Sequence, residues 1–192
     1  MKLKTVKSLY LSTIYRQLHY PVVLYMQIWQ KTHTKHNLTG TGNQDLLDAP
    51  MTAFFASRQC PGAAIRAALD WALQQARAKS VVISGFQSPL EQSVLKVLVQ
   101  ARSPVVAMLA RPVKEAKLPS EWTEPMAQGH LTVVSVANTG ARLTEEVAMA
   151  RNQLVFELAT DIVVAHASPG GTLAGFLAQW KMDRQGLVNV LG

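Results

Sequence analysis

Short apolar runs and longer helical stretches alternate along most of the chain. The runs are typical of buried strands, and the stretches between them repeat their apolar residues at helical spacing. The predicted strands are residues 52–56, 80–84, 105–109, 131–136, 162–165 and 187–191, and the predicted helices are 63–78, 89–101, 144–159 and 172–180. This alternation predicts a Rossmann-like α/β fold, an open, mainly parallel sheet with helices on both faces.

The first 42 residues do not follow this alternation. Residues 9–29 are rich in apolar residues, but Arg16 and Pro21 interrupt them, so we expect neither a membrane span nor a cleaved signal peptide. Residues 32–43 have the composition of a linker. The sequence therefore predicts a basic N-terminal extension at 1–42 and a nucleotide- or DNA-binding domain at 43–192.

Aromatic residues in the extension interleave with basic residues, at Tyr10, Tyr15, Tyr20, Tyr25 and Trp29. Such a pattern is typical of surfaces that stack bases and contact phosphates. The alternatives are a helix or strand packed on the domain, or a poorly ordered terminus.

The charge lies mostly in the extension. The net charge is +7, from 19 basic and 12 acidic side chains. Residues 1–42 contain six lysines or arginines and no acidic residue, whereas the remainder is nearly neutral. The overall charge therefore does not by itself make the domain a polyanion binder. The single cysteine, Cys60, excludes an intramolecular disulfide framework and favours a cytoplasmic location.

Polar residues and glycines follow three predicted strands, and carboxyl ends of parallel strands are where such sheets bind ligands. Hydroxyls and glycine N–H groups donate to phosphate oxygens, and an arginine binds a phosphate through two parallel hydrogen bonds. A glycine turn that opens a helix also favours an anion. The candidate phosphate-binding residues are Ser57, Arg58, Ser84, Gly85, Arg151, Asn152, Pro169, Gly170, Gly171 and Thr172.

Each candidate also has an ordinary structural explanation. Arg58 is able to cap a helix or pair with Asp161, and Arg151 to pair with Glu146 or Glu157. The two glycines at 170 and 171 fit a tight turn without a ligand. A hydrogen-bonded strand-end residue is the expectation for His166, because no second metal ligand lies at binding spacing. We expect no metal site and no cofactor.

Five short motifs, in order, resemble the Rossmann-like domain of the DNA-processing protein A family. They are Ala-Ser-Arg at 56–58, Val-Ile-Ser-Gly at 82–85, Met-Leu-Ala-Arg-Pro at 108–112, Arg-Asn at 151–152 and the strand and turn at 163–173. The family has Gly-Ser-Arg, Ser-Gly-Leu-Ala, a strand end of the form V-L-G-x-G, Arg-Asn-Arg, and V-V-E-A followed by S-G-S-L. The resemblance covers about residues 44–182.

This resemblance implies a domain that binds single-stranded DNA and helps to load a recombinase during DNA uptake. The sequence departs from the family at several places. Alanine replaces the first glycine of Gly-Ser-Arg, the segment 88–91 replaces Gly-Ile-Asp, and His166 replaces a glutamate. We expect no C-terminal winged-helix domain, because the sequence as given ends at Gly192.

The Pro-Gly-Gly turn is also similar to that of cytokinin-activating phosphoribohydrolases, once labelled lysine decarboxylases. Those enzymes use an arginine on the preceding helix, a place that Arg151 could fill, and a glutamate just beyond the turn. No carboxylate lies between Gly171 and Trp180 here, so a non-enzymatic role is predicted. The alternatives are a small-nucleotide sensor, a degenerate phosphoribohydrolase, or a scaffold that keeps only protein contacts. A second copy of the chain could contact residues 63–73.

Overall fold

The computed structural model describes residues 27–136, 144–183 and 188–191. The strands are β1 (Trp29–His33), β2 (His36–Gly42), β3 (Met51–Ala56), β4 (Val81–Ser84), β5 (Val105–Met108), β6 (Leu131–Val136), β7 (Asp161–His166) and β8 (Val188–Val190). The helices are α1 (Gly62–Ala78), α2 (Pro89–Gln100), α3 (Thr123–Ala127), α4 (Glu145–Leu158) and α5 (Thr172–Asp183). All strands and helices predicted from residue 52 onward are present, with small shifts at their ends.

The strands of the described residues form one sheet in the order β1-β2-β6-β5-β4-β3-β7-β8. Strands β3 to β8 pair in parallel, whereas the β1-β2 hairpin is antiparallel and joins β6 through β2. From β3 the chain moves outward through β4, β5 and β6, and then returns to β7 on the other side of β3. The strand order therefore reverses between β3 and β7, and the predicted Rossmann-like α/β fold is confirmed.

The two faces of the sheet carry separate cores, because successive side chains of a strand point to opposite faces. Phe54 packs with α1 and α2, and its ring stacks on that of Trp71 with centroids 4.9 Å apart. Phe55 lies in the other core, with Leu154 of α4 and Leu177 of α5. Because both faces are covered by helices, a polar ligand reaches the sheet at its strand ends.

The starts of α1 and α2 differ in how their first N–H groups are satisfied. At α2, Ser88 and Glu91 form a capping box, in which each side chain accepts from the backbone N–H of the other. Helix α1 begins after Pro61 without a side-chain cap, and its first turn contains no acidic residue. The first N–H groups of α1 are therefore left for another acceptor.

The predicted linker at 32–43 is wrong, because strand β2 and the end of β1 occupy it. Strand β2 pairs with β6, and Leu38 lies opposite Val136. Gly40 is required for close packing, since a Cβ at this position would clash with the ring of Trp29. The division of the chain at residue 42 stays a prediction, although residues 29–42 belong to the same sheet as the rest.

Two other regions bear on the sequence predictions. Residues 111–129, for which no strand or helix was predicted, contain α3 and short 3-10 helices at Val113–Glu115 and Ser120–Trp122. Of the aromatic residues predicted to stack bases, the tyrosines at 10–25 lie outside the described residues. Trp29 belongs to β1, and its Nε1 donates to the carbonyl of Gly42 at 3.0 Å. No helix within 27–136 and 144–183 is long and apolar enough to cross a membrane.

Glu157 of α4 fastens the turn of the β1-β2 hairpin to the body of the domain. Its carboxylate lies 3.1 Å from Lys35 Nζ and 3.0 Å from His36 Nε2, and it accepts a 3.1 Å bond from Gln153 Nε2. Partial burial acts to raise the pKa of Glu157, but these hydrogen bonds outweigh it and hold the pKa below its ordinary value.

We expect Glu157→Gln to reduce the free energy of unfolding by up to about 1 kcal/mol near pH 7, because the contacts are partly exposed. A carboxyl whose pKa is lower in the folded than in the unfolded state stabilises the fold at pH values above its unfolded-state pKa, about 4.3. This stabilisation is lost as the pH falls from that value through the folded-state pKa. Urea unfolding at pH 7 and pH 3 checks this. The difference between wild type and variant should shrink at pH 3. Glu146→Gln, an exposed change on the same helix, is the control, and equal differences at both pH values would contradict the prediction.

Candidate functional site

The carboxyl ends of β3 and β7 form a crevice where the strand order reverses. The N–H of Ser57 donates to the carbonyl of His166 at 2.9 Å, and the Ser57 Oγ accepts from the N–H of Ser168 at 2.9 Å. Ser168 Oγ in turn donates to the carbonyl of Gln59 at 3.3 Å. These bonds fix the turn after β3 against the turn after β7, so residues from distant parts of the chain meet at one point.

Arg58 lies beside this crevice and is exposed. Among the described residues, none forms an ion pair or a hydrogen bond with its guanidinium. The alternative of a pair with Asp161 does not fit, because Asp161 lies opposite Thr52 at the amino end of the parallel β3-β7 pair. The Arg58 side chain is therefore available to an anionic ligand.

The Pro-Gly-Gly turn forms the other side of the crevice. Gly170 has φ +72°, a conformation that favours glycine, and the N–H of Gly171 donates to the carbonyl of Ser168 at 3.0 Å. Thr172, the first residue of α5, donates its hydroxyl to Glu145 Oε1 at 3.0 Å. An exposed carboxylate from α4 thus lies next to the predicted phosphate-binding turn, where it opposes an anion.

Arg151 reaches from α4 to the end of β4 and is buried, with 8% of its surface exposed. Its guanidinium lies against Gly85, where a Cβ would clash with it. The Nε and Nη1 atoms have no hydrogen-bond partner among the described residues. Neither Glu146 nor Glu157 pairs with Arg151 in this part of the chain, so the pairing considered from the sequence is wrong.

Glu91 is the buried acidic residue whose charge acts on Arg151, and the sequence reasoning missed it. The two side chains form no ion pair or hydrogen bond with each other. Oε1 accepts from the N–H of Ala56 at 3.1 Å, and Oε2 accepts from the N–H groups of Gln87 at 2.7 Å and Ser88 at 3.1 Å. One buried carboxylate therefore joins the end of β3 to the turn after β4. The Ser-x-x-Glu capping box was a visible signal, but it reports the start of a helix and not the reach to β3.

The charges of this buried pair are mutually dependent. Burial raises the pKa of Glu91, although the three backbone N–H groups and Arg151 oppose this effect. Burial likewise lowers the pKa of Arg151, and Glu91 opposes it. Each charge therefore helps to keep the other ionised in a site that disfavours both.

Two of the predicted phosphate-binding residues, Ser84 and Asn152, are less exposed than Arg58. Ser84 is fully buried, and its Oγ accepts from the N–H of Phe86 at 3.2 Å. Phe86 has φ +49°, which is strained for an aromatic residue, so Ser84 supports a tight turn. Asn152 is half-buried beside Arg151 on α4.

A second cleft of about 190 Å³ lies further along the same edge, beyond the ends of β4 and β5. Gln87, Arg111, Lys117 and Trp122 are among its lining residues. The motif at 108–112 contributed to the family resemblance, but none of these side chains was predicted as a site residue. Two cations and an aromatic ring in one cleft are suited to phosphate contact and base stacking.

The structure brings the predicted residues to one edge of the sheet, with Ser57, Arg58 and the Gly-Gly turn at the crevice and Arg151 at Gly85. No cluster of three or more histidine, cysteine or acidic side chains suited to a metal occurs in the part of the chain that the structure describes.

The chain matches the family of DNA recombination-mediator protein A over residues 12–187. It belongs to that family. The comparison with curated proteins found no match to the chain.

Two solved structures of DNA processing protein A share its fold. The protein from Helicobacter pylori, whose structure was described for its single-stranded DNA binding mode, is 14% identical with a TM-score of 0.69, and the match covers 86% of this chain and 81% of that one. The protein from Streptococcus pneumoniae is 20% identical with a TM-score of 0.63, and the match covers 80% and 54% of the two chains. This family member thus spans about half the length of the pneumococcal protein.

We expect Glu91→Gln to lower the free energy of unfolding by about 3 kcal/mol, because it places an amide NH₂ among three backbone N–H donors and removes the negative charge that acts on the buried Arg151. Urea unfolding followed by circular dichroism measures this. Glu124→Gln, an exposed change of the same type, is the control and should change stability by less than about 0.5 kcal/mol. Equal effects of the two substitutions would show that Glu91 does not hold the site together.

Proposed function

We propose that this protein binds single-stranded DNA at the carboxyl edge of its sheet and acts without catalysis, as a recombination mediator. The observation that carries the proposal is Arg58, which lies exposed and unpaired among the described residues at the reversal of strand order. The family match and the single-stranded DNA binding described for the Helicobacter pylori relative support the same function.

In the proposed mechanism, one phosphate of the strand binds at the crevice. Arg58 supplies two parallel N–H donors, and the uncapped N-terminus of α1 adds backbone N–H groups and a favourable dipole. Ser57 contributes its hydroxyl proton, since its oxygen already accepts from Ser168. These donors contact the backbone of a strand and not its bases, so we expect little sequence preference.

Arg151 acts in this mechanism through its charge. Two of its nitrogens are enclosed against Gly85, so a phosphate is attracted by the field of the guanidinium without reaching those atoms. Fields of this kind are effective at an edge where the local dielectric is low. Glu91 fixes the position of that charge by holding the turn that encloses it.

The second cleft extends the path of the strand along the edge. Arg111 and Lys117 would neutralise the following phosphates, and the ring of Trp122 would stack on a base. A polymer occupies both the crevice and the cleft, whereas a mononucleotide occupies one of them. The presence of both favours a strand over a small-nucleotide sensor.

The proposal does not include hydrolysis. Glu145 places a carboxylate next to the turn, but it is exposed and engaged by Thr172. A general acid or base works best in a site that excludes water and tunes its pKa.

We further propose that the protein acts in the cytoplasm and passes the bound strand to a recombinase. Ile65 and Leu73 are exposed on α1, and we propose that they contact a second copy of the chain.

We expect Arg58→Gln to weaken binding of a dye-labelled oligo-dT strand about tenfold at low salt, since a hydrogen bond to a charged group contributes roughly 1.5–3 kcal/mol. The slope of log K against log salt should become shallower by about 0.7, the value for one phosphate of a single strand. Fluorescence anisotropy titrations at several salt concentrations measure both quantities.

Two variants of the full chain serve as controls for Arg58. Arg77→Gln removes an exposed arginine from the last turn of α1 and should leave binding almost unchanged. A second variant replaces Lys2, Lys4, Lys7 and Arg16 with glutamine. If it abolishes binding while Arg58→Gln does not, the extension binds DNA by nonspecific attraction and the sheet-edge proposal fails.

We expect Glu145→Gln to strengthen binding of the same strand two- to fivefold at low salt, because it removes a negative charge next to the Gly-Gly turn and keeps an acceptor for Thr172. The gain should fall as salt screens the repulsion. Asp161→Asn removes one negative charge at the amino ends of the strands, away from the Gly-Gly turn, and should have a much smaller effect. Equal gains from both variants would mean that net charge alone determines the affinity.

A further inference from the structure

His166 is the last residue of β7 and lies at the carboxyl edge of the sheet. In the register of the parallel β3-β7 pair it lies opposite Ala56, and its backbone carbonyl accepts from the N–H of Ser57. Arg58 follows directly in the chain. His166 therefore lies one strand away from the residues that are proposed to hold a phosphate.

The His166 side chain borders a cavity of about 440 Å³ at the carboxyl end of β7. Pro61, Ala63 and Ala64 line the same cavity, and they belong to the uncapped start of α1. The other lining residues are alanines, valines and leucines of β7, α5 and β8 or next to them, so His166 is the lining residue with a polar side chain. An ionisable ring and the start of a helix with free N–H groups thus border one space.

The imidazole of His166 has no hydrogen-bond partner. It is half-buried, and its ring nitrogens bond to no residue in the described ranges, so the expectation of a hydrogen-bonded His166 side chain is not met. A polar group that loses part of its hydration without gaining a protein partner costs stability unless a ligand or water supplies one. Both ring nitrogens are therefore available to a ligand that binds in the crevice.

Charged and titratable groups near the imidazole come from two neighbouring segments. The turn after β3 supplies the Arg58 guanidinium and the Cys60 thiol, and burial and the charge of Glu91 raise the pKa of that thiol, so it stays uncharged at neutral pH. Helix α4 supplies Glu145, whose carboxylate accepts from Thr172 at the start of α5. The cavity-lining residues of α1, α5 and β8 carry no charge. Histidine is the residue type whose charge changes between about pH 5 and pH 8, so we expect the imidazole to respond to pH in this range.

We infer that the His166 imidazole is a proton-dependent contact for the phosphate that binds at Ser57 and Arg58. The inference rests on the proposed function and adds a regulation of that site by pH. A phosphate beside an imidazole favours its protonated form, and by reciprocity the protonated ring binds the phosphate more tightly than the neutral ring does. The protein therefore holds a strand more tightly in mildly acidic solution than in mildly alkaline solution.

The test measures binding of the dye-labelled oligo-dT strand at about pH 5.5 and at about pH 8, near the two ends of the range in which histidine titrates. Wild type should bind about three- to tenfold more tightly at the lower pH, the gain expected from one added positive charge beside a phosphate. His166→Gln should bind like wild type at the higher pH and lose the gain at the lower one. His166→Lys carries its charge at both pH values and should bind tightly at both. Circular dichroism checks that each variant is folded.

His130→Gln is the matched control, because His130 is also half-buried but directly precedes β6, at the amino ends of the strands. It should keep the pH dependence of wild type. Burial also raises the pKa of Glu91, so a gain that persists in folded His166→Gln belongs to Glu91 or another group and overturns the inference. Equal binding by wild type at both pH values overturns it as well, and in both cases the proposed function stands. If wild type binds the strand at neither pH, the proposed function fails and the inference fails with it.

Discussion

The carboxylate of Glu91 determines the geometry of the sheet edge. It accepts hydrogen bonds from three backbone N–H groups, at the end of β3 and in the turn after β4, and its charge acts on the buried guanidinium of Arg151. Residues that are distant in the chain are thereby held at fixed separations. The cost of burying the carboxylate is offset by its three backbone hydrogen bonds and by the opposite charge of Arg151. Arg58 lies two residues after the end of β3, so the hydrogen bond between Ala56 and Glu91 helps to fix its position.

The charges along the edge are unevenly distributed. Arg111 and Lys117 lie in the cleft beyond β5, Arg58 lies at the crevice, and Glu145 lies beyond it beside the start of α5. A polyanion is therefore attracted along one part of the edge and repelled at the Gly-Gly turn.

The parallel part of the fold was predictable because its signals are local. Each of β3 to β8 is an apolar run, and each helix between them has its own periodicity or cap. The hairpin was not predictable in this way, since Thr39, Gly40, Thr41 and Gly42 lack a strand-like pattern and become a strand by pairing with β6, far along the chain. Arg151 was identified as a site residue, but its acidic neighbour was sought on its own helix. The actual neighbour, Glu91, depends on how α2 and α4 pack at opposite faces of the sheet.

The position of the hairpin also determines how the chain can be shortened. A fragment that begins at residue 43 would lack β1 and β2. Strand β6 would then pair only with β5 and would become the outermost strand of the sheet. Every side chain of β6 from Leu131 to Ser135 is buried in the intact sheet. An exposed apolar edge of this kind pairs readily with other chains and promotes aggregation. A soluble fragment must therefore begin before Trp29.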